Sequence, residues 1–179
     1  MKGLFLDRDG VINVDSGYVH RKKEFKFIDG IFHIVREAKV RNYKIIVITN
    51  QSGIGRQYYT EREFLLLTRW MKKRFEKESA PIDKVYYSPY HPTSGIGKYK
   101  RDHETRKPNP GLINRAKSRL GLDLEDSLLI GDNLTDIQAG IQAGIGKNLL
   151  FQKSPNCLKN INSVIKISNL HEAIAHMKY

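Results

Sequence analysis

The sequence contains very little cysteine. Cys157 is the only cysteine among 179 residues, so the chain can form no intramolecular disulfide and no cysteine-rich zinc site. Cys157 lies in a polar segment that we predict to be a loop, and we assign it no role. Apolar runs are also short. None approaches the roughly 20 residues needed to cross a bilayer, and no basic-then-apolar signal opens the sequence. We therefore expect a cytoplasmic protein with no membrane partner.

Acidic residues are scarce relative to basic ones. The chain has 31 Lys and Arg against 19 Asp and Glu, which gives a formal net charge of +12. This balance favours anionic ligands, either nucleic acid or small phosphorylated metabolites. The basic residues are scattered through helices and accompany no RNA-reading aromatic motif or zinc finger. We therefore interpret most of them as a solvated surface and expect no nucleic-acid partner.

Apolar segments recur along the chain with helical segments between them. The length of 179 residues suffices for one well-buried domain and hardly for two, so we predict a single domain over residues 1–179. The alternation implies right-handed crossovers and a parallel sheet covered on both faces, a three-layer, doubly wound α/β fold. The predicted strands are Gly3–Leu6, Lys44–Ile48, Lys84–Tyr87, Ser127–Ile130, Asn148–Phe151 and Val164–Ile167. The predicted helices are Gly30–Arg41, Thr60–Glu78, Gly111–Leu120, Thr135–Ala143 and Leu170–Met177.

Two carboxylates stand at the exit of the first predicted strand. Asp7 ends the apolar run and Asp9 follows two residues later, so both side chains can project the same way. Alone, such a pair is also compatible with a surface turn. Desolvating an unpaired carboxylate is costly, however, which favours a cation or chemistry at this place. One aspartate could attack phosphorus and the other could move a proton, with Mg²⁺ holding the nucleophile and the phosphate together.

Other polar segments fall where a doubly wound sheet gathers ligand-binding groups, beyond the carboxyl ends of its strands. Thr49 offers a hydroxyl to phosphoryl oxygens, although alone it could mark a turn or a helix cap. Lys107 precedes a Pro-Asn-Pro helix start, where an ammonium could neutralise phosphate and nucleophile together. Asp132 repeats the pattern of Asp7 at the end of another strand and could be a metal ligand. Asp136 could cap the following helix or pair with Lys107.

The order of these motifs resembles the haloacid dehalogenase (HAD) superfamily of phosphohydrolases. The resemblance extends from Leu4 to about Gly144. It implies an aspartate nucleophile, a second aspartate as general acid and base, a threonine and a lysine that orient phosphate, and Mg²⁺ as cofactor. The catalytic roles would fall on Asp7, Asp9, Thr49 and Lys107, and the metal ligands would be Asp7, the carbonyl of Asp9, and Asp132.

A closer resemblance is to the D-glycero-D-manno-heptose 1,7-bisphosphate phosphatases and their histidinol-phosphatase relatives, which are essentially capless. It rests on segments 15–20, 27–30, 49–54 and 106–108. It implies hydrolysis of the C7 phosphate of a heptose bisphosphate, on the way to nucleotide-activated heptose for lipopolysaccharide or capsule. Arg106 would hold the retained phosphate, and segment 15–18 would contact sugar. The predicted substrate-binding residues are Arg8, Asp15, Ser16, Gly17, Tyr18, Asn50, Gln51, Ser52, Arg106 and Asn133.

The sequence departs from that family at two places. Its members usually hold a structural zinc with three cysteines and one histidine before the Arg-Lys-Pro segment. The matching positions here are Ser88, Tyr90, His103 and Thr105. A tetrahedral zinc site cannot be built from that set, so we predict no zinc and a loop that is either held by packing or mobile. The second departure is Asn133, which stands where the family generally has a lysine.

Because Asn133 replaces a lysine, the sequence does not decide the identity of the substrate. A heptose bisphosphate is the first expectation, and histidinol phosphate or a polynucleotide 3′-phosphate are alternatives within the same chemistry. A non-enzymatic protein that binds nucleic acid or anionic glycan through its basic surface is a further alternative, but it would not need the complete set of catalytic residues. We expect a monomer.

Overall fold

A parallel sheet of six strands forms the centre of the molecule, with the strand order β3-β2-β1-β4-β5-β6. The computed structural model describes residues 1–152 and 164–179. The loop predicted around Cys157 lies outside these residues. All five strand pairings are parallel, as the sequence predicts. The strands are β1 Lys2–Leu6, β2 Lys44–Asn50, β3 Lys84–Ser88, β4 Asp123–Gly131, β5 Lys147–Phe151 and β6 Ile165–Ile167.

Alternate residues of the central strands pack into two separate hydrophobic cores, one on each face of the sheet. Leu4 and Leu6 of β1 pack on one face of the sheet, whereas Phe5 packs on the other. Helices α1 and α3 cover the first face, and α4 and α5 cover the second. The three-layer, doubly wound fold is thereby confirmed. The helices are α1 Ile31–Val40, α2 Ser52–Gly55, α3 Glu61–Lys77, α4 Gly111–Leu120 and α5 Leu134–Ala143.

Three short helices have 3₁₀ geometry, at Lys22–Glu24, Gly97–Tyr99 and Leu170–His176. The last one corresponds to the predicted helix Leu170–Met177 and differs from it in type. It is seven residues long, which is long for a 3₁₀ helix, and periodicity in so short a segment does not distinguish the two helix types. The other two and α2 span at most four residues each, which is too few for a helical period to show in the sequence.

The longest helix begins where its sequence predicts. The Thr60 hydroxyl accepts a hydrogen bond from the backbone N–H of Glu63 at 3.2 Å, and the Glu63 carboxylate accepts from the N–H of Thr60 at 2.7 Å. This reciprocal pair satisfies two backbone donors at the start of α3. Phe64, Met71 and Phe75 then lie fully buried on one face.

The pairing of β1 with β4 contains an irregularity that a side chain repairs. The register shifts between Lys2 and Leu4, and β4 begins four residues earlier than the predicted strand. Ser127 is 2% exposed. Its hydroxyl accepts the N–H of Gly3 at 2.8 Å and donates to the carbonyl of Asp123. A serine side chain therefore replaces a missing rung of the ladder.

This topology brings the sequence motifs together at the carboxyl ends of neighbouring strands. β1 lies between β2 and β4, so the carboxyl ends of these three strands are adjacent, and Asp7, Thr49 and Asp132 lie at those ends. No helix within the described ranges is long and apolar enough to span a bilayer.

Replacing Ser127 with alanine should lower the free energy of unfolding by about 1–3 kcal/mol, because the buried N–H of Gly3 would lose its acceptor. Urea unfolding followed by circular dichroism measures this. Ser118→Ala is the matched control, since Ser118 is exposed on α4, and its effect should stay within about 0.5 kcal/mol. Equal effects of the two substitutions would contradict the role of Ser127.

Candidate active site

An open cavity of about 480 Å³ lies over the carboxyl ends of the central strands. It brings together most of the side chains that the sequence predicts for the site, namely Asp7, Asp9, Asp15, Gly17, Tyr18, Thr49, Asn50, Gln51, Ser52, Arg106, Lys107, Asp132 and Asn133. Arg8 and Ser16 are predicted to bind substrate but do not line the cavity. Gly53, Tyr59, Thr135 and Asp136 line it without having been predicted to bind substrate.

A buried ammonium between two carboxylates forms the floor of the cavity. Lys107 Nζ lies 2.7 Å from Asp7 Oδ1 and 2.6 Å from Asp136 Oδ1, and it donates to the carbonyl of Ile48 at 2.9 Å. Burial lowers the pKa of Lys107, but Asp136 and Asp7 outweigh this effect and the net pKa is raised. Lys107 therefore stays charged. Burial raises the pKa of Asp7 well above its usual range, since the attraction of one shared ammonium only partly offsets desolvation.

Asp136 fulfils both of the alternatives that its position allows. One carboxylate oxygen pairs with Lys107, and the other accepts the backbone N–H of Asn133 at 3.0 Å, at the start of α5. The side chain is 2% exposed. A single carboxylate thus ties the first turn of a helix to the ammonium on the cavity floor.

Asp132 is a third carboxylate on the same floor. Burial, with a smaller contribution from Asp136, raises the pKa of Asp132 to about 6. It lies against the turn that follows β1. A Cβ built on Gly10 would lie 2.0 Å from an Asp132 oxygen, and Gly10 has a φ of +87°, so both the space and the backbone conformation require glycine.

The three carboxylates fit a hard divalent cation. Oxygen atoms of Asp7, Asp132 and Asp136 lie within 4.8 Å of one another, and an all-oxygen donor set is typical of Mg²⁺. Burial is the main cause that raises the pKa of Asp7 and of Asp132, and repulsion from Asp136 adds to it in both cases, so a cation at this place would relieve both effects. The predicted ligands Asp7 and Asp132 belong to this group. The carboxylate of Asp9 does not, and its carbonyl remains a predicted ligand.

The Asp9 carboxylate is held on several sides. It accepts from Arg8 Nη2 at 2.9 Å, from Asn13 Nδ2 at 3.0 Å, and from Gln51 Nε2 at 3.0 Å. Arg8 is 1% exposed, and it also donates to the carbonyl of Val19 at 2.7 Å. These contacts give the Arg8 guanidinium a structural role within the protein, and its binding of substrate remains a prediction. The Arg8 side chain turns inward to the carboxylate of Asp9 and does not line the cavity.

The carboxyl end of β2 joins the phosphate-binding candidates to Lys107. The side-chain amide of Asn50 donates to the carbonyl of Lys107 at 3.0 Å and accepts its N–H at 3.1 Å. These two bonds fix the lysine backbone, so Asn50 has a structural role at the cavity edge. Thr49 Oγ1 accepts from Gln51 Nε2 at 2.9 Å, which leaves the threonine proton free to donate into the cavity.

Arg106 lies at the cavity rim, where the charge of Asp102 acts on it without forming a salt bridge. It donates to the carbonyl of Tyr90 at 2.9 Å, and within the described residues it forms no salt bridge. Burial and repulsion from Arg56 lower the pKa of Arg106. Tyr18 lies near both arginines, with a left-handed φ of +49°, and its ring is 5.8 Å from the Arg56 guanidinium. This rim favours an anion.

The four positions that match the family's zinc ligands contact one another. Thr105 donates to Ser88 Oγ at 3.1 Å, and its hydroxyl lies 2.8 Å from His103 Nδ1. The rings of His103 and Tyr90 stack with centroids 3.8 Å apart. Burial lowers the pKa of His103, which favours the neutral ring. Of the two predicted alternatives for this loop, packing therefore describes the structure. The absence of zinc remains a prediction.

The fold and the site together define an HAD-type phosphohydrolase. A doubly wound sheet presents Asp7 and Asp9 after its first strand, Thr49 on its second, and Lys107 between two aspartates. Comparison with known proteins agrees. Residues 104–150 match the family model described as HAD-hydrolase-like.

Sequence relatives identify the family within the HAD-type phosphohydrolases. The D-glycero-alpha-D-manno-heptose-1,7-bisphosphate 7-phosphatase of Burkholderia mallei is 55% identical over 150 residues, which are 84% of this chain and 79% of that protein. The D-glycero-beta-D-manno-heptose-1,7-bisphosphate 7-phosphatase of Haemophilus influenzae is 44% identical over 84% of this chain and 82% of that protein. The chain belongs to the family of D-glycero-D-manno-heptose-1,7-bisphosphate 7-phosphatases.

A solved structure supports the fold. The D,D-heptose 1,7-bisphosphate phosphatase of B. bronchiseptica, complexed with magnesium and phosphate, superposes with a TM-score of 0.83 over 98% of this chain and 97% of that one. The two sequences are 24% identical, so this likeness concerns the fold alone.

Replacing Lys107 with methionine should destabilise the protein by about 3–5 kcal/mol in the absence of divalent cations, because two buried carboxylates would lose their counter-charge. Added Mg²⁺ should restore part of the loss. Chemical denaturation with EDTA and with Mg²⁺ measures both effects.

The control is Lys39→Met, which breaks the partly exposed 3.0 Å pair with Asp83. It should cost at most about 1 kcal/mol and should not respond to Mg²⁺. A Lys107→Met variant as stable as the control would contradict the role given to the buried ammonium.

Proposed function

We propose that this protein hydrolyses the C7 phosphate of D-glycero-D-manno-heptose 1,7-bisphosphate, as a step toward nucleotide-activated heptose for lipopolysaccharide or capsule. The observation that carries the proposal is the lysine shared by Asp7 and Asp136 beneath a cavity whose rim bears Arg106, which forms no salt bridge with any described residue. Relatives that carry this activity in their names support it. One is named for the alpha anomer and one for the beta anomer, so both belong in the assay.

Asp7 is the nucleophile in this proposal. Its carboxylate attacks phosphorus while Asp9 gives a proton to the departing sugar oxygen, and the bond between phosphorus and that oxygen breaks. A water molecule then attacks the aspartyl-phosphate, with Asp9 taking its proton, and free Asp7 and inorganic phosphate result. Lys107 and Thr49 stabilise the charge on the transferring phosphoryl group from the cavity floor.

Mg²⁺ is the proposed cofactor, held by Asp7 and Asp132 with the carbonyl of Asp9. When bound, it would neutralise the nucleophile and the anionic phosphate together. Support for this site comes from the clustered carboxylates and from the effect of burial on their pKa values.

Arg106 is the proposed ligand of the phosphate that is retained. A guanidinium can bind phosphate with two parallel hydrogen bonds, and Arg106 forms no salt bridge within the described part of the chain. The sugar would lie between this rim and the floor, against Asp15, Gly17 and Tyr18. Asn133 lines the cavity at the start of α5, and we retain it as a substrate contact.

We further propose that residues 1–179 act as one domain, as a monomer, in the cytoplasm, and without nucleic acid. One sheet contains all six strands of the described residues, and a single chain supplies the proposed catalytic residues Asp7, Asp9, Thr49 and Lys107. Light scattering on the purified protein tests the oligomeric state.

Asp7→Asn should abolish turnover while leaving the fold intact, because Lys107 keeps its pair with Asp136. Asp9→Asn should lower turnover by about 100- to 10,000-fold, the usual contribution of a general acid. Phosphate release in Mg²⁺ measures both, against heptose 1,7-bisphosphates of both anomers, histidinol phosphate and a 3′-phosphorylated oligonucleotide. Thermal unfolding checks the fold. An active Asp7→Asn variant would overturn the mechanism, and preference for another substrate would overturn the assignment to heptose.

Arg106→Gln should lower kcat/KM for the bisphosphate by about 10- to 150-fold, since hydrogen bonds to charged groups contribute about 1.5–3 kcal/mol. The same sugar phosphorylated only at C7 should be little affected. Arg69→Gln removes the same charge from an exposed position on α3 and controls for electrostatic steering. Equal losses on the two substrates would show that Arg106 does not bind the retained phosphate.

A further inference from the structure

Tyr59 is a buried cavity residue to which the mechanism above gives no role. It is 5% exposed, and its hydroxyl donates to Oε1 of Gln51. Burial raises the pKa of Tyr59 to about 12, so the hydroxyl keeps its proton. The ring stacks on His20 with centroids 5.0 Å apart. A Cβ on Gly53 would lie 2.2 Å from the ring, so the backbone approaches it closely and fixes its place.

Gln51 converts this hydrogen bond into a constraint on Asp9. It is 2% exposed, and its Nε2 donates to Asp9 Oδ2 at 3.0 Å and to Thr49 Oγ1 at 2.9 Å. A side-chain amide can rotate so that its oxygen and nitrogen exchange places. In the opposite orientation a carbonyl oxygen would face the carboxylate of Asp9. Because Tyr59 offers a donor to Oε1, it selects the orientation in which Gln51 donates to Asp9.

The contact from Gln51 differs from the other contacts of Asp9. Arg8 and Asn13 belong to the same segment as Asp9, so they move with it. Gln51 follows β2 and anchors Asp9 to a neighbouring strand. Tyr59 precedes α3 and fixes Gln51 in turn. The chain of contacts therefore relates the position of Asp9 to the rigid sheet.

We propose that Tyr59 is a positioning residue for Asp9 and acts through the side-chain amide of Gln51. The inference rests on the proposed function, in which Asp9 protonates the leaving sugar oxygen. Tyr59 itself keeps its proton throughout. Its contribution lies in holding the carboxyl group of Asp9 where the proton can be delivered.

Substrates with different leaving groups distinguish positioning from a merely structural role. A sugar alkoxide needs a proton as it leaves, whereas p-nitrophenolate is a stable anion and leaves without one. Tyr59→Phe removes only the hydroxyl. It should lower kcat/KM for the heptose bisphosphate by about 3- to 10-fold, the equivalent of one hydrogen bond. For p-nitrophenyl phosphate kcat/KM should remain unchanged. Equal losses on both substrates, or no loss on either, would overturn the inference.

Two further variants complete the experiment. Tyr87→Phe makes the same chemical change in a residue that packs on the neighbouring Phe64 and whose hydroxyl contacts Glu61, and it should leave both substrates unaffected. Asp9→Asn is the benchmark, with a selective and larger loss on the sugar phosphate.

If Asp9→Asn is unselective, the acid role of Asp9 fails, and this inference fails with it. If Asp9→Asn is selective but Tyr59→Phe is not, only the inference on Tyr59 is wrong. If another alkyl phosphate proves to be the better substrate, it replaces the heptose in the same comparison.

Discussion

The site depends on one buried ammonium. Lys107 is 3% exposed, and Asp7 and Asp136 lie on either side of it. Without a cation, the carboxylate that follows β1 and the carboxylate in the first turn of α5 would repel each other and lose hydration with nothing in exchange. With the ammonium of Lys107 in place, the carboxyl end of the sheet can hold the proposed nucleophile in a buried environment. The surrounding structure serves this lysine, since Asn50 fixes its backbone by two bonds and the carbonyl of Ile48 accepts from its ammonium.

The loop from Ser88 to Thr105 shows how a polar and aromatic cluster can hold a segment without a metal. The Thr105 hydroxyl bridges Ser88 and His103, and the His103 ring stacks on Tyr90. Each of these contacts is weak compared with a zinc–thiolate bond. Together they fix the carbonyl of Tyr90, which accepts from Arg106. The cluster thus reaches the substrate-binding rim through one backbone carbonyl.

Much of this architecture can be predicted from the sequence, because hydrophobic periodicity and the motifs at strand ends are patterns of residues close together in the chain. The alternation of apolar runs with helical segments determines a doubly wound sheet, and the topology then brings Asp7, Thr49 and Asp132 together. What the sequence does not reveal depends on side-chain direction. Arg8 has the guanidinium group that is typical of a phosphate ligand, yet its side chain turns inward to Asp9. Tyr59 carries no motif of its own, and its contact with Gln51 exists only after α3 has packed against the sheet.

The cavity separates opposite charges along its depth, and in the proposed reaction this separation would allow one phosphate to be cleaved while the other is kept. The floor has three carboxylates and one lysine, so it has an excess of negative charge that favours a divalent cation together with a phosphoryl group. The rim has Arg106 with Arg56 nearby, and within the described residues Arg106 forms no salt bridge. In the proposed reaction, a phosphate at the rim would be bound by a guanidinium and would have no nucleophile beside it. A phosphate on the floor would meet Asp7, the proposed nucleophile, and Asp9, the proposed proton donor. Position in the cavity would therefore decide which ester is hydrolysed, and the sugar between the two phosphates would set that position.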